Sequence, residues 1–250
     1  MSNPEEFREE QLTYIKNISQ DTEFRDIAFD FFQKAALNGY TYVWDWMGLP
    51  VIQYPNDLLL MQEVIWKVRP TIIIETGVAR GGSLAFYASM LKLIGGQQVI
   101  GIDNLIHKYN RDAIEQHELY EFITLIEGDS ASSDTTNEVR QLISESDKVL
   151  VVLDSDHTHT HVLNELKALS QLVSVDSYCV VFDTTCDQLT TPQFEALQPS
   201  YVRSDWGPTR NPGTAVSEFL EGQSDFIREE HWHQKALITN CWNGFLRRRS

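Results

Sequence analysis

The chain is poor in cysteine and in positive charge, and it has no long apolar run. Cys179, Cys186 and Cys241 are its only cysteines and none stands in C-x-x-C spacing, so neither a disulfide framework nor a zinc site is indicated. Thirty-six acidic residues against twenty basic ones give a net charge of -16. That balance argues against a nucleic-acid backbone or an anionic membrane as main partner, since both are recognised by clustered lysine and arginine. The run Arg247-Arg248-Arg249 is too short to reverse it. No stretch reaches the roughly 18 apolar residues of a membrane span. The start, Met1 to Glu6, has neither the basic nor the apolar part of a signal peptide, and a cytoplasmic location is expected. Internal repeats are missing too.

What is present begins with Ile72-Ile73-Ile74-Glu75-Thr76-Gly77-Val78-Ala79-Arg80-Gly81-Gly82-Ser83, a β-branched run that spills into a glycine-rich turn and then a helical pattern. This is the first βα unit of an open α/β sheet, where ligands bind beyond the carboxyl end of the strand. The turn has no Gly-Lys-Ser/Thr ending and no G-x-G-x-x-G spacing, so neither nucleotide signature fits. An acid before the first glycine and another, Asp103, closing the strand Val99 to Asp103 suit a ligand with a cationic amino-acid part and a ribose. S-adenosylmethionine (SAM) has both; another adenosine compound on an ordinary Rossmann-type turn is the alternative.

The rest of the chain alternates. Strands are expected at 71–75, 98–102, 122–126, 149–153 and 178–182, with helices at 83–94, 109–117, 134–144 and 160–171, a rhythm that implies a mostly parallel sheet covered on both faces. Phe226 to Glu229, Ala236 to Thr239 and Gly244 to Leu246 supply antiparallel edge candidates that bring the sheet to seven strands. Residues 1–57 form an N-terminal helical and aromatic extension, a cap or an assembly surface, and 58–250 the main domain. Phe24, Ile27, Ala28, Phe31 and Phe32 make an apolar stripe on its second helix. That stripe exceeds what a solvated helix needs, and a homo-oligomer is expected.

Polar residues at strand ends are the candidates for chemistry. Asp129 and Ser130, after the third strand, suit an adenine edge. Asp154 and Asp183 end neighbouring strands and can hold a hard divalent cation such as Mg²⁺ through oxygen ligands. His157 stands three residues past Asp154, within reach of a substrate hydroxyl, and its ordinary pKa near 6.5 suits a general base. His159 and His161 are read as helix-start polar residues, and His231-Trp232-His233 as surface or edge-strand packing. Tyr42, Trp44, Trp46 and the loop Ser204 to Pro208 are candidates for an acceptor pocket wall.

Together these residues resemble the cephalosporin hydroxylase family, class I SAM-dependent O-methyltransferases akin to the rhamnosyl and catechol O-methyltransferases. The likeness runs from Trp46 to Leu246. It rests on Gly48-Leu49-Pro50-Val51-Ile52-Gln53-Tyr54-Pro55-Asn56-Asp57, the Glu75 to Ser83 turn, Ile100 to Asp103, Leu153 to His157, and Gly207-Pro208 through Asn211-Pro212 to Leu220. The resemblance implies a Rossmann-like fold, SAM bound by Glu75, Gly77, Arg80, Gly81, Ser83 and Asp103, Mg²⁺ on Asp154 and Asp183, and His157 as base. Phe182 occupies the place of one expected acid, which leaves the cation site one ligand short. The activity implied is methylation of a hydroxyl on a small-molecule acceptor, a sugar or a secondary-metabolite scaffold. A catalytically impaired SAM-binding partner in a biosynthetic complex is the alternative that Phe182 keeps open. An iron oxygenase is not indicated, since no H-x-D or H-x-E pair occurs.

Overall fold

Two helices, α1 (Pro4–Gln20) and α2 (Thr22–Leu37), precede a small hairpin of β1 (Trp44–Trp46) and β2 (Leu49–Val51) in the computed structural model, which describes residues 3–197 and 205–250. Helix α3 (Pro55–Val68) leads into β3 (Ile72–Thr76), α4 (Gly82–Ile94), β4 (Gln98–Asp103), α5 (Lys108–Glu115), β5 (Ile123–Glu127), α6 (Ser133–Gln141), β6 (Val149–Leu153), α7 (His159–Leu169) and β7 (Tyr178–Val181). The remainder is α8 (Thr191–Leu197), α9 (Pro212–Glu221), β8 (Phe226–Arg228), α10 (His231–Ala236) and β9 (Phe245–Arg248). Part of the expected pocket loop, Ser204, lies outside the described residues.

The main sheet has seven strands in the order β5-β4-β3-β6-β7-β9-β8; the first five are parallel, and β9 runs antiparallel to both β7 and β8. Every residue of β3, β6 and β7 is buried, because helices cover both faces. One apolar layer joins Val64 of α3 and Phe86 and Leu91 of α4 to Ile73 and Val152; the other joins Leu166 of α7 and Val216 of α9 to Ile74 and Val151. Each fully buried isoleucine or valine contributes about 1.5–3 kcal/mol, so the strands with the densest β-branched runs hold the centre. From β3 the chain builds outward through β4 on one side and β6 on the other. The crevice beyond Thr76 and Leu153 is therefore the switch point at which such sheets bind ligands.

Two expectations fail at the tail. Ala236 to Thr239 is no strand: α10 ends at Ala236 and Leu237 takes φ +56°, which breaks an extended path, while the antiparallel strand is β9. His231-Trp232-His233 is helical, not edge strand, and Trp232 and His233 are buried, the indole lying edge-on to Tyr178. At the other end the stripe on α2 divides. Ala28, Phe32 and Ala35 face the body, where Phe32 stacks on Tyr54 with ring centroids 5.6 Å apart, and Phe24, Ile27 and Phe31 stay exposed.

Candidate active site

The turn after β3 is tight because two strand ends meet there. Gly77 has φ +91°, and a Cβ on it would lie 2.0 Å from the Asp154 carbonyl oxygen, so only glycine fits. Asp103, at the end of β4, accepts the Val78 N–H at 2.9 Å and the Leu105 N–H at 3.2 Å, which ties the turn to the second strand. Glu75 is buried behind the turn and accepts the Ser83 hydroxyl at 2.9 Å. Burial and the nearby Asp154 push its pKa well above the usual carboxylate range.

A cavity of about 680 Å³ opens on this turn, within the size range of small-molecule sites. Its first half is lined by residues 77–83, including Arg80, Gly81 and Ser83, and by Asp103, Asp129 and Ser130. The Ser130 hydroxyl donates to the buried Glu165 at 2.5 Å, and His161 borders the same wall, 3.2 Å from Ser130. The second half holds Asp154, His157 and Asp183, then Tyr42, Tyr54 and Trp206, with Phe32 of α2 closing over it.

The acids and the histidine meet as the strand-end reading requires. Asp154 accepts the Gln53 carboxamide N–H at 2.7 Å, and His157 Nδ1 lies 2.9 Å from Asp183 Oδ2. Asp183 reaches the cavity because it turns with φ +56°, whereas Phe182 points into the apolar layer and is 2% exposed. Burial and the Asp183 charge raise the Asp154 pKa well above its ordinary value. Burial disfavours the charged His157 ring, but Asp183 and Asp154 outweigh it and hold the pKa at about 9. The imidazole is thus charged at neutral pH and paired with Asp183. One ligand atom from each of Asp154, His157 and Asp183 lies within 4.8 Å of the others. Two carboxylates beside a histidine form a donor set that fits a hard divalent cation.

The other histidines do different work. His159 bridges α7 to α9 through Thr214 Oγ1 at 2.7 Å and Glu218 Oε2 at 3.0 Å, and His161 pairs with Glu165 at 3.3 Å. Trp44 packs edge-on to Tyr40, and Trp46 packs on Phe86 with its N–H on Ser89, so neither lines the cavity; Tyr42 and Trp206 do. Sequence reasoning missed Gln53, Tyr54, Cys186 and Asn240, which also line it. Nothing in the spacing signals a Gln53–Asp154 contact across 101 positions.

The strand order, the glycine turn after β3 and the crevice beyond it define a class I methyltransferase fold. Two solved structures share it: CmcI with Mg and SAM, at TM-score 0.55 and 24% identity over 84% of this chain and 78% of that one, and the O-methyltransferase from Bacillus cereus in complex with SAH, at TM-score 0.51 and 12% identity over 87% and 89%. Residues 38–249 match the profile of the Rhamnosyl O-methyltransferase/CmcI family, and the chain belongs to that family. It is 29% identical over 213 residues to the rhamnosyl O-methyltransferase of Mycobacterium leprae, covering 83% of this chain and 86% of the relative.

Proposed function

We propose that this protein is a SAM-dependent O-methyltransferase that acts on a hydroxyl of a sugar or secondary-metabolite scaffold with help from a divalent cation. The observation that carries the reading is one continuous cavity joining the glycine turn to the Asp154–His157–Asp183 cluster. Family membership, the activity named for the M. leprae relative, and the Mg and SAM of the CmcI structure support it.

When bound, SAM supplies an electrophilic sulfonium methyl and the cation a charge that makes an acceptor hydroxyl more acidic. Asp103 still has lone pairs for the ribose hydroxyls beyond those taken by the backbone. Gly77, Arg80, Gly81 and Ser83 shape the donor half, Asp129 and Ser130 would border the adenine, and Glu75 braces the turn through Ser83. Asp154 and Asp183 would hold the cation. His157, 2.9 Å from Asp183, would take the acceptor proton in its neutral form. Tyr42, Trp206 and Phe32 keep water from the reacting atoms, and positioning supplies much of the rate.

Residues 1–57 serve as a cap over residues 58–250, since Phe32, Ala36, Thr41 and Tyr42 line the cavity. The exposed Phe24, Ile27 and Phe31 are the contact surface of a homo-oligomer. The three cysteines are free, buried thiols, in keeping with a reducing cytoplasm. Among the described residues no helix is long and apolar enough to cross a membrane. Methyl-labelled SAM incubated with the protein, MgCl₂ and a panel of rhamnosides and hydroxylated scaffolds tests the activity. Label transfer that stops on chelation is expected. SAH binding without transfer to any acceptor would favour the impaired-partner reading suggested by Phe182.

A further inference from the structure

Gln53 carries a polar atom that no described residue pairs with. It follows β2 in a segment packed directly on the glycine turn, where a Cβ on Gly82 would lie 2.3 Å from the Pro50 carbonyl oxygen. The side chain lines the cavity beside Asp154 and is 4% exposed. Its Nε2 donates to Asp154 Oδ2 at 2.7 Å. With Nε2 engaged on Asp154, Oε1 is the end of the amide left for another partner. Oε1 is then buried and without a hydrogen-bond partner among the described residues. Buried acceptors are nearly always paired, so this one is open to a ligand.

The surroundings narrow the ligand's chemistry. Asp154 adjoins the amide, and Glu75 lies close enough behind the turn to feel the Asp154 charge. Among the described residues that line the cavity, the only lysine or arginine is Arg80, on the turn itself. An unpaired acceptor between acids suits a cationic group, and on the proposed donor the cation that carries N–H bonds is the methionine ammonium. Resting on the reading that SAM is the methyl donor, we infer that Gln53 binds the methionine ammonium of the donor through Oε1 while its amide N–H holds Asp154. One side chain thereby sets both the amino-acid end of the donor and the first acid of the cation cluster.

Calorimetry on the full chain tests this with SAH and its desamino analogue, each with and without MgCl₂. The wild type is expected to bind SAH at least about tenfold more tightly than the desamino analogue, as a charged hydrogen bond requires. Gln53→Met keeps the length and removes the oxygen. It should weaken SAH about tenfold, leave the desamino analogue within about twofold, and so abolish the preference. Gln53→Asn, which withdraws the carboxamide by one methylene, should do the same and serves if the methionine variant does not fold. An unchanged preference in a folded variant overturns the inference. So does equal weakening of both ligands, which would mean that Gln53 only supports Asp154. If the wild type binds neither ligand, the donor reading itself fails and the inference falls with it.

Discussion

Asp154 and Asp183 favour the charged form of His157, and single substitutions should separate the proposed roles of the three. His157→Gln removes the proposed proton acceptor and Asp183→Asn a proposed cation ligand. Each is expected to lower turnover by about 100-fold or more, with SAH affinity changed little, as steady-state kinetics and calorimetry would show. A second buried acid acts on stability. Asp57 is 1% exposed and accepts the Asn240 N–H at 2.9 Å and the Thr239 hydroxyl, which anchors the loop between α10 and β9 to α3. Burial pushes its pKa up to about 7. The folded chain therefore keeps a proton that the unfolded chain releases near pH 4. Its contribution is fully present below about pH 4 and is lost as the pH rises toward 7. Asp57→Asn mimics the protonated acid, so urea unfolding should show it gaining about 2 to 4 kcal/mol on the wild type between pH 4 and pH 7.

The turn after β3 depends on glycine where strands β3 and β6 converge. Gly77→Ala adds a collision with the Asp154 carbonyl to the cost of a positive φ, whereas Gly48→Ala, at φ +92° with nothing within 4 Å, adds the φ cost alone. Urea denaturation should show about 1–2 kcal/mol lost for Gly48→Ala and more than about 3 for Gly77→Ala. The strands beside this turn were legible in the sequence because buried parallel strands read as unbroken apolar runs rich in β-branched residues, as Ile72 to Ile74 and Val149 to Leu153 do. Ala236 to Thr239 read as a strand for the same reason. Its fate was decided by tertiary contacts: burial of Trp232 against Tyr178 and Phe245, and the Thr239 and Asn240 bonds to Asp57, 182 and 183 positions away. The site divides likewise. Asp103, Asp154, His157 and Asp183 were legible because they stand at strand ends or within a few residues past them, while Gln53 and Asn240 reach the cavity only through long-range packing.

For the whole molecule, an acidic surface and an apolar stripe act together. A net charge of -16 opposes unspecific association, yet Phe24, Ile27 and Phe31 remain 46%, 58% and 39% exposed on one helix. Light scattering should give a mass that is a multiple of the single chain, and replacing all three by serine should reduce it to the monomer. An unchanged assembly would place the contact elsewhere. The α2 helix that carries this stripe also presents Phe32 and Ala36 to the cavity, so the monomeric variant should bind acceptor more weakly than donor. Donor, cation and acceptor are all assigned to one crevice, and a crystal structure grown with SAH and MgCl₂ tests that assignment most directly. The expected density shows SAH along the Gly77 to Ser83 turn with its ribose on Asp103, and an ion between Asp154 and Asp183. An empty crevice, or SAH bound anywhere else on the protein, would contradict it.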